Sequence, residues 1–357
     1  MRSNTLRVLG TAGVAMVCAA AVPLACSDNT VTKSHILDQP DTSTGDASVP
    51  DTWTPPPDGS TNDAPSDAPA DGDAGPAPVC SPAATYGSGS LVQSTSGSLS
   101  TNMADWLGSI TGDELSIAWM TGSDPNGTIY YADRSSTAVP FALPQTVKNN
   151  VVNAATDRVA LTPDGLGLAV VASDRRSFTM LTRATRGDKF DNPDASAFFA
   201  INQMVSESPS DQIVGDPIYG QDGLTFAFSF YGGQISDATI RISSRPTTSD
   251  PWSSGSGLYE TELALTGSGQ RRHATGLSSD TLTLFYWDES TLTEKAAWRP
   301  DTSSDFAQFV DLGLRIFAAP SSDCTKLYYS GGTSDAGALD ASTSSLPDLD
   351  LYVANKN

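Results

Sequence analysis

Two histidines and four cysteines in 357 residues leave almost no material for a zinc centre or an imidazole relay. There is no C-x-x-C, H-E-x-x-H or phosphate-binding glycine loop. The nearest approach to a G-x-S-x-G elbow, Gly332-Thr333-Ser334-Asp335-Ala336, lacks its second glycine and lies in a Ser/Gly/Ala loop. Cations are scarce, with 20 Lys+Arg against 41 Asp+Glu, a formal charge of -21 and a pI near 4.2. A phosphate backbone is bound by clustered Lys and Arg, so this balance argues against nucleic acid and anionic lipid as partners. No catalytic group, cofactor or metal site is assigned. His35 falls in a polar tract, and His273 reads as a structural histidine. The length would allow about two domains.

What is present begins with an address. Arg2 and Arg7 precede an apolar stretch from Val8 to Ala25, the pattern of a secretory signal peptide over residues 1–25. A retained anchor is the alternative, although the stretch is barely long enough to span a bilayer. Leu24-Ala25-Cys26 resembles the lipobox of bacterial lipoproteins, in which the cysteine after a small residue is acylated. The family has Leu three residues before that cysteine, where this chain has Pro23. The resemblance implies lipidation at Cys26, export and a lipid anchor in the membrane. Ser27, in place of an inner-membrane-retaining Asp, points to the outer membrane. Cleavage at Ala19-Ala20-Ala21 is the competing reading.

Residues 26–79 form the lipidated cysteine and a linker. From Ser27 to Val79 the chain carries ten Asp, one Lys and nine Pro, with Trp53 its only aromatic residue. Such a segment cannot bury enough apolar area to offset the entropy of ordering, so it is expected to be a disordered acidic stalk. DGDAG at 71–75 has the opening of a calcium loop without the further ligands and closing Glu.

Residues 80–357 are built from one repeated unit. ITGDELSIAWM (110–120), LTPDGLGLAVV (161–171), YGQDGLTFAFS (219–229), LSSDTLTLFYW (277–287) and PSSDCTKLYYS (320–330) superpose without gaps. Each has aspartate in the fourth place: Asp113, Asp164, Asp222, Asp280 and Asp323. The alternating apolar residues that follow read as a strand entered through a tight turn, which the Asp caps through its own backbone. A second strand ends on a cation each time: Arg134, Arg183, Arg245, Arg299 and Lys356. An aromatic residue then recurs at Phe141, Phe190 and Phe306, with Trp252 a looser match, and a weaker strand leads to the next turn. Four strands per unit at spacings of 51, 58, 58 and 43 residues are the mark of propeller blades.

The pattern resembles the WD-repeat-like propellers of the TolB-like type, with LTPDGLGLAVV and YGQDGLTFAFS the closest copies of that family's strand. The expectation is an all-β chain, a propeller of five four-stranded blades. Six, the commoner count in that family, is the alternative. Ring closure falls to residues 88–107, around Ser90–Gln93 and Met103–Gly108, which complete the last blade or lead into the first. A closed ring makes Cys80 and Cys324 neighbours, and export puts them in an oxidising compartment, so a disulfide between them is expected.

Loops joining the first and second strands of each unit gather on the face opposite the Asp turns. Arg175 and Arg176 are the only paired cations among them, and with Asp124, Asp174, Asp288 and Glu289 they form the candidate binding face. Trp119, Trp287 and Tyr329 fall at alternating strand positions and read as core. The functional expectation is a noncatalytic, monomeric envelope lipoprotein that binds an envelope protein or a glycan. The rival is a glycoside hydrolase working with paired carboxylates in the central funnel, which requires two at roughly 5–10 Å.

Overall fold

The computed structural model describes residues 78–357, apart from residues 82, 102, 123–126, 148–157, 233–237, 253–260, 263–271, 307, 314 and 333–348. The signal peptide, Cys26, the linker through residue 77 and Asp124 therefore lie outside the described residues. Among the described residues no helix is long and apolar enough to cross a membrane.

The Asp turn recurs because one carboxylate does the same work each time. Asp113 Oδ1 accepts the Leu115 N–H at 3.0 Å and the Thr111 hydroxyl at 2.7 Å. Asp164, Asp280 and Asp323 repeat both bonds, and Asp222 recruits Thr225 because Gly220 stands where the others have a hydroxyl. The next residue is left-handed in all five turns, with φ between 52° and 71° at Glu114, Gly165, Gly223, Thr281 and Cys324. A side chain that replaces a backbone acceptor lets even Glu, Thr and Cys hold that conformation.

These turns join strands into five antiparallel sheets of four. Strand β1 (Ser90–Leu91) and a small hairpin, β2 (Gln93–Ser94) with β3 (Gly97–Ser98), precede the first blade. Blade 1 is β4 (Asp105–Ile110), β5 (Ser116–Thr121), β6 (Thr128–Asp133) and β7 (Gln145–Thr146). Blade 2 is β8 (Ala160–Leu161), β9 (Gly167–Val171), β10 (Phe178–Thr182) and β11 (Asn192–Asp194), followed by a 3₁₀ turn (Ser196–Phe198) and helix α1 (Phe199–Glu207). Blade 3 is β12 (Ile213–Tyr219), β13 (Thr225–Tyr231), β14 (Ala238–Ser244) and β15 (Thr261–Glu262). Blade 4 is β16 (Arg272–Leu277), β17 (Thr283–Asp288), β18 (Thr293–Trp298) and β19 (Gln308–Gly313). Blade 5 is β20 (Ile316–Pro320), β21 (Lys326–Gly332) and β22 (Leu349–Asn355), with β1 as its outer strand through Ser90↔Val353 and Leu91↔Tyr352. Inner strand β20 also packs against β4, so the ring closes at five blades.

The core is correspondingly divided into five wedges, one at each seam between blades. Ile117 and Trp119 of β5 face blade 5, whereas Ala118 and Met120 of the same strand face blade 2. Phe226 and Phe228 pack on Phe178 and Phe198 at the next seam, Ile218 and Ala227 meet Leu277 and Leu284 at the one after, and Phe285 meets Ala318 and Leu327 beyond that. Both faces of β5, β9, β13 and β17 are thus buried.

The strand-ending cations are staples. Their Nε atoms reach past the turn aspartates to the carbonyl of the left-handed residue: Arg134 to Glu114, Arg183 to Gly165, Arg245 to Gly223 and Arg299 to Thr281, at 2.6 to 3.2 Å. Each guanidinium also lies 4.4 to 4.8 Å over a ring seven residues on: Phe141, Phe190, Trp252 and Phe306. Trp252 is therefore a full member of the repeat.

In blade 5 the strand-ending cation is Lys356, and among the described residues no arginine caps the carbonyl of its left-handed residue, Cys324. The N-terminal segment supplies the substitute. Tyr86 bridges to Lys356 in antiparallel fashion, and its hydroxyl donates to the Cys324 carbonyl at 3.3 Å, the same carbonyl that an arginine caps in the other blades. The Cys80–Cys324 disulfide is present, with a Cα–Cα distance of 5.3 Å and both residues buried. The bridge closes a loop with a sequence separation of 244, for which chain entropy gives a stabilisation of about 3–5 kcal/mol. Replacing both cysteines with serine should lower the unfolding free energy by that amount, read as a lower denaturant midpoint at unchanged m. Equal midpoints for the variant and the parent would show that β1 and Tyr86 close the ring unaided.

Candidate functional site

The five inner strands surround the axis, and four of them are irregular at the same place. Register shifts fall between Leu107 and Ser109, Gly215 and Ile218, Ala274 and Gly276, and Ile316 and Ala319. Bulges release carbonyls from the ladder and redirect side chains. Asp216 and Phe317, at two of these bulges, have φ of 46° and 54°. Gly108 is needed at a third, since a Cβ there would lie 2.6 Å from the Val159 carbonyl.

Arg158 collects the released carbonyls. Its Nε donates to Leu107 O at 2.9 Å, Nη2 to Gly108 O at 2.8 Å and to Thr275 O at 3.0 Å, and Nη1 to Ala274 O. The guanidinium lies 4.8 Å over the Phe317 ring and within the fields of Asp216 and Glu294. A blade 2 residue thereby touches blades 1, 4 and 5 and is balanced by blade 3. Burial lowers its pKa and the two carboxyl groups raise it, leaving it near 10 and charged at neutral pH. On the Asp-turn side of this guanidinium, a cavity of about 20 Å³ lined by Ser109, Thr111, Gln221 and Thr275 is room for a single water.

On the opposite side, toward the loop face, His273 stands between two carboxylates. Its Nδ1 is 2.8 Å from Asp216 Oδ2, and its Nε2 is 3.7 Å from Glu289 Oε1. The Tyr231 hydroxyl donates to Asp216 Oδ2 at 2.5 Å. Burial opposes charge on both members of the His273–Asp216 pair, but their mutual attraction prevails. The imidazolium persists to about pH 9 and the carboxyl is held near 2. Phe317 lies edge-on to His273 at 6.0 Å and tilts against Trp106 at 5.3 Å. Beneath them Glu294 is fully buried. Desolvation lifts its carboxyl to about 8, against the opposing effects of the Thr275 hydroxyl and Arg158.

The described residues of the candidate binding face fall in different settings. Arg176 is a structural cation: it donates to the carbonyls of Val205, Ser208, Pro209 and Gln212 and so closes the C-terminus of α1. Arg175 is half-buried with φ of 56°, and its carbonyl accepts the Val214 N–H. Asp174 caps the same loop through the Arg176 N–H. Asp288 is buried and binds Ser290 and Lys295, with Arg272 at 4.0 Å. Glu289 alone among the described members reaches the axial cluster, through His273. Trp119 and Trp287 are core residues, and half-buried Tyr329 stacks on Tyr352 at 5.6 Å. Among the described residues no three His, Cys, Asp or Glu side chains are grouped to hold a metal ion.

Sequence reasoning missed two features. Arg158 and Asp216 each stand six residues before a turn aspartate, where blades 1, 4 and 5 have Leu107, Ala274 and Phe317. A charge at a position that is otherwise apolar in the repeat was the available signal. The other feature is α1, inserted between blades 2 and 3. Ala200, Ile201 and Val205 bury one side of it, leaving Phe199 63% exposed on the other. Phe199, Asn202, Gln203 and Ser206 form one wall of a groove of about 470 Å³, with Asp174, Arg176 and Ser177 opposite.

Five four-stranded blades around a closed axis make the chain a five-bladed β-propeller. No protein-family model matches the sequence, and no curated protein matches it. Solved structures resemble it at low identity. TolB from Acinetobacter baumannii is 15% identical over 73% of this chain and 55% of that one, with a TM-score of 0.39. Regucalcin from Agrobacterium tumefaciens, described as a calcium-binding protein, is 7% identical over 68% and 73% with a TM-score of 0.40. An α-L-arabinofuranosidase from Podospora anserina, in complex with cellotriose, is 10% identical over 78% and 98% with a TM-score of 0.39. The chain spans little over half of the TolB chain, and no residue role is carried over from any of the three.

The buried acids set a pH dependence. The folded state holds the Glu294 proton to about pH 8, against an ordinary 4.5, and that of Asp105 to about pH 6, against 3.8, in both cases because burial disfavours the anion. His273 adds stability that is complete below its ordinary 6.5 and is lost as pH rises through 9. All three make the folded state bind more protons than the unfolded chain, so stability falls with rising pH. The thermal midpoint is expected to decline steadily from pH 5 to pH 9, and Glu294→Gln to flatten the stretch below pH 8. A flat profile for the parent protein would contradict the buried, protonated Glu294.

Proposed function

We propose that this propeller is a noncatalytic binding module of an exported, lipid-anchored envelope protein, engaging its partner on the loop face. The observation that carries the reading is the state of the axis. Glycoside hydrolysis needs an accessible acid beside a second carboxylate. Here the one carboxyl in the axial cluster with an acid-like pKa, Glu294, is fully buried, and Asp216 is held as an anion by His273 and Tyr231. Arg158 is buried at the axis and bonded to carbonyls of blades 1 and 4. Among the described residues the loop face carries the α1 groove. The lipid anchor rests on the lipobox-like Leu24-Ala25-Cys26, and Ser27 favours the outer membrane. The disulfide is compatible with export.

The test is cross-linking in the source envelope from a photoreactive residue at Gln203, with mass spectrometry of the adducts. A reproducible protein or glycan adduct, absent when the probe is moved to Ser303 on the Asp-turn face, is the expected result. Equal labelling from both faces, or turnover of a glycan by the purified chain, would overturn the reading.

A further inference from the structure

Resting on the binding-module reading, we infer that the α1 groove is a site for a neutral pyranose glycan, with Phe199 as the stacking platform. Three features of the groove point to this class of ligand. It is an open groove of about 470 Å³, reached directly from solvent. Phe199 is the most exposed large apolar side chain among the described residues, at 63%, and it stands at the groove rather than within an apolar patch. The remaining described patch candidates, Val79, Met103, Val139, Leu143 and Phe309, do not line it. A lone ring amid polar groups suits a ligand with one apolar C–H face and hydroxyls around its edge. A protein partner would instead want a contiguous apolar centre.

The polar wall is also of the right kind. Asn202 is fixed by bonds to both the N–H and the carbonyl of Phe178, at 2.8 and 2.9 Å. Its neighbour Gln203 donates to Glu207 at 2.8 Å and has amide capacity beyond that bond. Ser206 donates to the Gln203 carbonyl at 2.7 Å, leaving its oxygen able to accept. These are donors and acceptors without charge. The two charged groups of the groove are occupied, Arg176 by four carbonyls and Asp174 by the Arg176 N–H. On a molecule of charge -21 the groove offers no pairing cation, which turns anionic glycans away.

The helix that carries the platform is anchored on its other side. The buried side of α1 packs through Ile201 and Val205, and the preceding 3₁₀ turn through Phe198, into the wedge between blades 2 and 3, while Arg176 ties the helix C-terminus to the neighbouring loop. A ligand would thus meet a preformed site and would not have to order it.

The experiment is saturation-transfer NMR and calorimetry on the full, disulfide-bonded chain with four neutral probes: maltotriose, chitotriose, xylotriose and mannotriose. Saturation is expected on the ring C–H protons of at least one, with affinity lost at least tenfold in Phe199→Ala and kept within threefold in Phe199→Trp. The thermal midpoint of Phe199→Ala should match the parent, since the side chain is exposed. No transfer from any of the four, or transfer unchanged in Phe199→Ala, overturns the glycan site. If Phe199→Ala instead abolishes a protein adduct in the envelope, the glycan inference fails while the binding-module reading stands. Hydrolysis of a probe overturns both.

Discussion

Arg158 stands where five sheets meet, and the propeller's organisation can be traced outward from it. Bulges in the inner strands turn the carbonyls of Leu107, Gly108, Ala274 and Thr275 toward the axis, where water is nearly excluded. A buried carbonyl without a partner is costly, and so is a buried guanidinium; each meets the other's requirement. With Arg158 in place, Asp216 can be an anion, and with Asp216 an anion His273 can be a cation. The same packing strips Glu294 of solvent and keeps it protonated to about pH 8. The chemistry of the axis is thus that of a fastening.

At the periphery the same problem is solved five times with different parts. Four arginines cap the carbonyl after the turn aspartate and lie on an aromatic ring seven residues on. At the fifth turn Tyr86 caps the Cys324 carbonyl, and Cys80 adds a covalent bond. Ring closure therefore depends on residues that precede the repeats, and the disulfide sits at the seam without an arginine staple.

The fold was legible because the repeat is written in local chemistry. An aspartate two residues before its N–H partner, and alternating apolar residues after it, can be read without knowing what lies across the seam. The disulfide followed from the topology of a closed ring. Trp252 looked like an irregular member only because tryptophan replaced phenylalanine; its spacing from Arg245 is the same as in the other units. Arg176 misled for the opposite reason. Beside Arg175 it resembled an exposed basic pair, but the carbonyls that engage it come from a helix end about 30 residues on, which no local pattern announces. His273 read as structural, and it is held by Asp216, 57 residues earlier. Long-range polar contacts of this kind were outside the reach of periodicity. A charge set in an otherwise apolar column of the repeat was the one trace they left.

The central claim is that Arg158 holds the blades together. It is tested most directly by comparing chemical denaturation of Arg158→Met with that of the parent at pH 7, with the disulfide intact. Methionine keeps much of the volume and removes the donors that bind the four carbonyls. The account predicts a single cooperative transition and a loss of about 3–5 kcal/mol, the cost of breaking a buried charge network by removing one member. A loss under about 0.5 kcal/mol, the scale of an ordinary surface substitution, would contradict it.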